Sequence, residues 1–140
     1  MQQTQKSKEK IVAFVYGTLK VGMGFAWRLD EYRTSSIKGT IKASLHRGIY
    51  PMIIDGDDDV HGEIHVYESE DNVALQILDQ IEGYHEGSKH NLYERRLVDA
   101  VGEDGKTYQA YAYYIHLPGE IEKCKDGTNA KIEDGVWKPY

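Results

Sequence analysis

Two short segments, far apart in the chain, carry residue types suited to acid/base chemistry. Val15-Tyr16-Gly17-Thr18-Leu19-Lys20 reads as an apolar strand ending in a glycine turn, and Leu78-Asp79-Gln80-Ile81-Glu82-Gly83-Tyr84 reads as a helix end before a glycine stop. Consecutive backbone N–H groups in a glycine turn form a concave nest for a carboxylate or an oxyanion. Without the second segment, a strand followed by Gly-Thr is more often only a turn.

Glu82 lies four residues after Leu78 and seven after Leu75, in line with positions that face a core. A carboxylate there is costly unless it has a partner or a task. The negative end of the helix dipole and partial burial both disfavour its charged form, which raises its affinity for protons into a range useful for general acid/base work. The same spacing also fits a solvated helix-end Glu that frays outward, and periodicity does not choose between the two. Asp79, three residues earlier, reads as a second carboxylate or, more often for such a position, as a surface residue.

These residues need a scaffold, and the pattern supplies one. Ile11 to Tyr16 is a continuous apolar, β-rich run and reads as a buried first strand. Phe25 to Tyr32 has helix-like spacing after a loop bounded by Gly22 and Gly24. Ser35 to Leu45 and Ile49 to Ile54 read as strands, Asp55 to Asp59 as a polar turn, and Val60 to Tyr67 as a further strand forming a hairpin. A helix is predicted over Asp71 to Glu82, with Ser69 as N-cap and Gly83 as its stop. Tyr93 to Val98 and Thr107 to Ile115 form a hairpin around Gly102-Glu103-Asp104-Gly105. The stretch from Pro118 to Tyr140 is expected to wrap the surface.

Composition narrows the function classes. The chain of 140 residues is 40% hydrophobic with 11 tyrosines and 3 prolines, which suits one globular, strand-rich domain over 11–140 behind a flexible tail at 1–10. A net charge of -6 argues against a nucleic-acid partner. No apolar run suggests a membrane span, and the single Cys124 with no signal-like N-terminus points to the cytoplasm.

Several motifs fail as metal or nucleotide sites. His61-Gly62-Glu63-Ile64-His65 has its Glu misplaced for a zinc protease, and on a strand its two His are about 13 Å apart. Asp55, Asp57 and Asp59 open like a calcium loop, but Val60 and Val66 occupy the glycine and bidentate-Glu positions. Gly22-Met23-Gly24 lacks a third glycine, and Cys124 has no evident His partner. No metal and no cofactor is therefore expected.

The ordered set Tyr16-Gly17-Thr18-Leu19, Gly62 to Tyr67, Asp79-Gln80-Ile81-Glu82-Gly83-Tyr84, Tyr93 to Val98 and Ala110-Tyr111-Ala112-Tyr113 resembles the γ-glutamylcyclotransferase-like family. That family includes the AIG2-like proteins and the γ-glutamylamine cyclotransferases, and Gly135-Val136-Trp137 resembles its closing segment. The resemblance implies an α+β fold on a small, mixed, partly closed β-barrel with one main helix. It implies that Tyr16, Gly17, Thr18 and Leu19 bind substrate and that Glu82 is the acid/base residue. Tyr113 matches a cavity-side tyrosine and equally fits a core aromatic.

The implied substrate is a small γ-glutamyl amide or amino acid whose own α-amine closes onto the γ-carbonyl, releasing 5-oxoproline and an amine. Such intramolecular attack needs no Ser, Cys or metal nucleophile. A non-catalytic module binding an amino acid or amide on the same fold is the alternative, against which a retained Glu82 speaks. One departure stands out: Val21 to Trp27 is more apolar than the polar, Asn-containing stretch of γ-glutamylamine-type enzymes. The leaving group, the oligomeric state and the role of Ser88-Lys89-His90-Asn91 are left open by the sequence.

Overall fold

A computed structural model describes residues 8–17, 26–48, 50–82, 84, 91 and 93–138. Its elements are β1 (Glu9–Val15), a 3-10 turn (Ala26–Leu29), β2 (Arg33–Arg47), β3 (Pro51–Ser69), a second 3-10 turn (Glu70–Asn72), α1 (Val73–Glu82), β4 (Tyr93–Gly102), β5 (Thr107–Ile115), α2 (Pro118–Asp126) and β6 (Ala130–Lys131). The strands run β3-β1-β5-β4-β2, and β2 pairs back onto β3, so five strands close a mixed barrel. β1 and β5 are parallel through Ala13 and Tyr111, while the other pairings are antiparallel. β6 extends the free part of β2 at His46 and Arg47.

Strand alternation sorts the apolar residues into two cores. Phe14, Tyr16, Ile41, Leu45, Ile53, Val60, Ile64, Ala110 and Ala112 fill the barrel interior. The intervening positions Ala13, Val15, Tyr67, Tyr93, Tyr113 and Ile115 pack outward against Ala74 and Leu78 of α1 and Cys124 of α2. β1 is therefore apolar on both faces because one face lines the barrel and the other lies under helix. That is why its sequence reads as a continuous run.

Three expectations are corrected. Asp55 to Asp59 is not a turn between two strands but lies inside the 19-residue β3. The register jumps there, from Ala43 opposite Asp58 to Ser44 opposite Ile54, so the acidic run is a bulge. Arg96 pairs with Asp55 at 2.7 Å, Lys131 with Asp58 at 2.6 Å and Lys42 with Asp59, so three of its four carboxylates meet a cation. The hairpin turn sits earlier, where Arg47 faces Pro51.

The main helix begins at Val73 rather than Asp71. Asp71 and Asn72 adopt positive φ of 54° and 55°, a conformation Asp and Asn tolerate better than other side chains. Ser69 is not the N-cap of α1: it precedes the 3-10 turn and makes no capping bond there, although its Oγ accepts the Ala74 N–H, a free donor of the first turn of α1, at 3.1 Å. Within the predicted helix Phe25 to Tyr32, residues 26–32 are described, and only Ala26–Leu29 is helical, as a single 3-10 turn.

The C-terminal stretch does more than cover the surface. Pro118 at the start and Gly127 in a left-handed conformation, φ 87°, bracket the unanticipated helix α2. Further on, Trp137 enters the barrel core, with the Arg47 guanidinium stacked 4.4 Å from its ring centroid. The Gly135 carbonyl accepts the His61 N–H at 2.8 Å, and at φ 66° any Cβ there would strike the Asp59 carbonyl. Among the described residues, no helix is long and apolar enough to cross a membrane.

Candidate functional site

The C-terminus of α1 is built to end sharply. Tyr84 N–H returns to the Asp79 carbonyl at 2.8 Å, a bond that turns the chain back on the last turn of the helix. This fixes Glu82 at the last helical position, where carbonyls rather than N–H groups surround it. Leu78, one turn back, is fully buried, so Glu82 is drawn toward the same packed layer.

The Glu82 residue keeps partial exposure, yet desolvation of its carboxyl raises its proton affinity from an ordinary 4.5 to about 7. The carboxyl's own surroundings, not the residue's total surface, set that value. Among the described residues, no cation pairs with it and no hydrogen-bond donor reaches it. Its charge is felt at three phenols, Tyr16 at the end of β1, Tyr93 on β4 and Tyr113 on β5, and helps hold all three hydroxyls protonated.

Each of these hydroxyls has its proton engaged elsewhere. Tyr16 donates to the Tyr113 carbonyl at 2.7 Å and Tyr93 donates to the Pro51 carbonyl at 2.7 Å. Tyr113 donates to Asp79 Oδ1 at 2.7 Å. Gly17, also buried, packs so closely on Pro51 that a Cβ would come within 2.6 Å of its Cγ. The turn after β1, the start of β3, and the Tyr93 hydroxyl thus converge on one proline.

Of the residues singled out from sequence, Glu82, Tyr16 and Tyr113 come together, with Gly17 adjoining through Pro51. Thr18 and Leu19 lie outside the described residues, as do 83, 85–90 and 92. Asn91 is described and buried.

Asp79 is corrected: it is not a surface residue. Its second oxygen, Oδ2, accepts from Arg95 Nη1 at 2.7 Å, and the two side chains are only 21% and 16% exposed. The Arg95 guanidinium lies 5.0 Å and 5.1 Å from the ring centroids of Tyr84 and Tyr111. Tyr93 and Arg95 are not among the residues that the sequence singles out, and Asp79 is there only as the less favoured of two readings. The two-residue spacing of Tyr93 and Arg95 puts both on one strand face, a legible signal; the register that sets Arg95 directly opposite Tyr113 was not legible.

A second buried polar chain lies on the outer face of β3. His65, fully buried, approaches Glu63 Oε1 with Nε2 at 2.8 Å and the Tyr67 hydroxyl with Nδ1 at 2.6 Å. A carboxylate only accepts, so Nε2 carries the proton and Nδ1 accepts from Tyr67. Burial lowers the His65 proton affinity, so the ring stays neutral at pH 7. His61 and His65 are thus not paired ligands; among the described residues no three His, Cys, Asp or Glu side chains converge to hold a metal.

Residues 13–139 match the family model described as gamma-glutamyl cyclotransferase, AIG2-like. Three solved structures share the fold. YkqA from Bacillus subtilis is 23% identical over 92% of this chain with a TM-score of 0.63, although the chain spans only 40% of that longer protein. An AIG2-like protein from Mus musculus is 19% identical, with 93% and 89% of the two chains covered and a TM-score of 0.61. Protein ytfP from Escherichia coli is 25% identical, with 91% and 96% covered and a TM-score of 0.53. No curated protein matches the chain.

Proposed function

The chain belongs to the gamma-glutamyl cyclotransferase, AIG2-like family, and from that premise we propose that it cyclises a small γ-glutamyl amide or γ-glutamyl amino acid to 5-oxoproline with release of a free amine. The observation that carries this reading is the Glu82 carboxyl, desolvated at a helix end and poised to gain or lose a proton at about pH 7. A group titrating near the working pH is the most effective proton shuttle.

In the proposed reaction Glu82 takes a proton from the substrate's α-ammonium. The freed amine attacks the γ-carbonyl carbon of the same molecule, forming the ring C–N bond. As the amide C–N bond breaks, Glu82 returns its proton to the departing nitrogen, and the second ammonium proton leaves with the amine product. Nothing is oxidised and no water is consumed. The nucleophile is tethered to its target, so its effective concentration replaces an enzyme-borne Ser or Cys.

Backbone N–H groups of the turn at Gly17, Thr18 and Leu19 are assigned to the substrate's carboxylate or the developing oxyanion. Tyr16 and Tyr113 are assigned to the cavity wall around the ammonium. The reading assigns no step to a metal or cofactor.

The test is a panel of γ-glutamyl amides and γ-glutamyl dipeptides assayed for 5-oxoproline release. Turnover of at least one member supports the reading. Binding of 5-oxoproline or γ-glutamyl ligands without turnover of any member would overturn it in favour of a binding module.

A further inference from the structure

The turn at Gly17 and the helix end at Glu82 belong to different elements, and a third element is tied to both. On β4, Tyr93 and Arg95 stand two residues apart on one face, about 6.7 Å from each other along the strand. Toward the turn, the Tyr93 hydroxyl donates to the Pro51 carbonyl at 2.7 Å. A Cβ on Gly17 would come within 2.6 Å of the Pro51 Cγ, so the backbone of the turn rests on that proline ring. Tyr93, Pro51 and Gly17 are all buried.

The proline is anchored from its other side as well. Met52, next in the chain, accepts from Asn129 Nδ2 at its sulfur, 3.7 Å away, and His46, opposite Met52 in register, donates its Nδ1–H to the Asn129 carbonyl at 2.9 Å. Toward the helix, Arg95 Nη1 donates to Asp79 Oδ2 at 2.7 Å, three residues before Glu82. Tyr113, directly opposite Arg95, donates to the other Asp79 oxygen, and its carbonyl accepts the hydroxyl of Tyr16, the residue before Gly17. β4 itself is held straight by its pairing with β5 from Tyr93 to Val101. We propose that Tyr93 and Arg95 are positioning residues: β4 is a strut on which Tyr93 seats the turn at Gly17 through Pro51, and Arg95 seats the end of α1 through Asp79, so that the two together set the spacing between the turn and Glu82.

What lies between turn and helix end rests on the proposed γ-glutamyl reading, but the two linkages do not. In that reading the turn holds the substrate and Glu82 moves protons, so the two ends of the strut act on different kinetic constants. Tyr93→Phe keeps the ring and loses the bond to Pro51; it should raise KM about fivefold, the worth of one neutral hydrogen bond, with kcat within about twofold of the parent. Arg95→Gln should lower kcat about tenfold with KM within about twofold, because a small displacement of the proton shuttle costs rate rather than binding. Tyr67→Phe removes a buried hydroxyl from the His65 chain instead, and controls for lost stability: it should move neither constant.

The linkages themselves are read without substrate, from the backbone amides in proton–nitrogen NMR spectra. The Gly17 amide resonance should shift in Tyr93→Phe and in Pro51→Ala, and stay in place in Tyr67→Phe. Pro51→Ala keeps the carbonyl that Tyr93 binds but removes the ring under Gly17, so adding Tyr93→Phe to it should move the Gly17 resonance no further. Deuterium exchange at the Glu82 amide should quicken about tenfold in Arg95→Gln, as the last turn of α1 opens more readily, and be unchanged in Tyr93→Phe.

A Gly17 resonance unmoved in Tyr93→Phe, or additive shifts in the double variant, overturns the proposal. So does a KM-against-kcat split that is the same for Tyr93→Phe and Arg95→Gln. If Arg95→Gln does not fold, Arg95→Lys, which keeps the charge but not the planar fork, must lower kcat and quicken Glu82 exchange in the same sense, and an unchanged kcat and exchange there are equally fatal. A protein that turns over no γ-glutamyl compound, yet shows both amide responses, fails the γ-glutamyl reading while keeping the strut.

Discussion

Glu63 and Glu82 are both carboxylates brought against buried aromatic surface, and they meet opposite treatment. Glu63 receives the ring N–H of His65, which in turn receives the Tyr67 hydroxyl, so each polar atom in that chain has a partner. The charge of Glu82 is felt at three tyrosines whose protons go to other acceptors. The two networks use the same residue types. A satisfied buried network rigidifies a fold, whereas a desolvated carboxyl that no donor among the described residues reaches keeps a high proton affinity. The difference teaches which of the two is scaffold and which is site.

Glu82→Gln is the strongest test of that division. The amide keeps the shape and loses the proton shuttle, so turnover of the best γ-glutamyl substrate should drop about 10²- to 10⁴-fold with the far-ultraviolet spectrum unchanged and 5-oxoproline still bound. Near-normal turnover in a folded variant would return Glu82 to a helix-end surface carboxylate. The corresponding strike at the other network, His65→Leu, strips the buried Tyr67 hydroxyl of its acceptor. Chemical denaturation should show a loss of about 3 kcal/mol, with turnover per folded molecule nearly unchanged. A loss of turnover with full stability would reverse the two roles.

The pH dependence of stability separates the networks by sign. The folded state holds a proton on Glu82 up to about pH 7, whereas the unfolded chain releases it near 4.5. Stability therefore falls as pH rises through that window, and the deficit remains above it. Glu82→Gln should be more stable than the parent protein by about 2 kcal/mol at pH 8, with the gain closing below pH 4.5. His65 works the other way: its proton affinity is lowered from 6.5, so its contribution is complete above that pH and is lost as pH falls. Matched denaturation curves at pH 5 and pH 8 decide both; a Glu82→Gln gain that did not depend on pH would contradict the desolvated carboxyl.

The smallest effect is expected at Gly17. An Ala Cβ would press on Pro51 Cγ at 2.6 Å, and the proline must shift, taking with it the carbonyl that holds Tyr93. Gly17→Ala should cost about 1 kcal/mol in stability and raise KM more than it lowers kcat. An unaltered KM would detach this turn from the site.

Much of this was legible in the residues. The spacing of Leu75, Leu78 and Glu82 and the alternation in β2, β4 and β5 follow from local periodicities that packing left standing. Where local chemistry and packing disagree, the sequence misleads. Five residues from Asp55 to Asp59 have the composition of a turn, but Arg96, Lys131 and Lys42 bring cations from β4, β6 and β2, and the strand runs on through a bulge. Asp79 reads as surface because nothing near it in the chain offers a donor.

By itself the sequence determined that this chain folds as strands with one amphipathic helix, that β1 is covered on both faces, and that a carboxylate stands at the helix end. Those features depend on residues within a turn or two of one another. Only the tertiary structure decided that the five-stranded sheet closes, that Trp137 enters its core, and that Asp79, Arg95 and Tyr113 meet. The physical reason is that a hydrogen bond needs both partners in place, and the acceptors of the three tyrosine protons lie up to 97 residues along the chain from their donors.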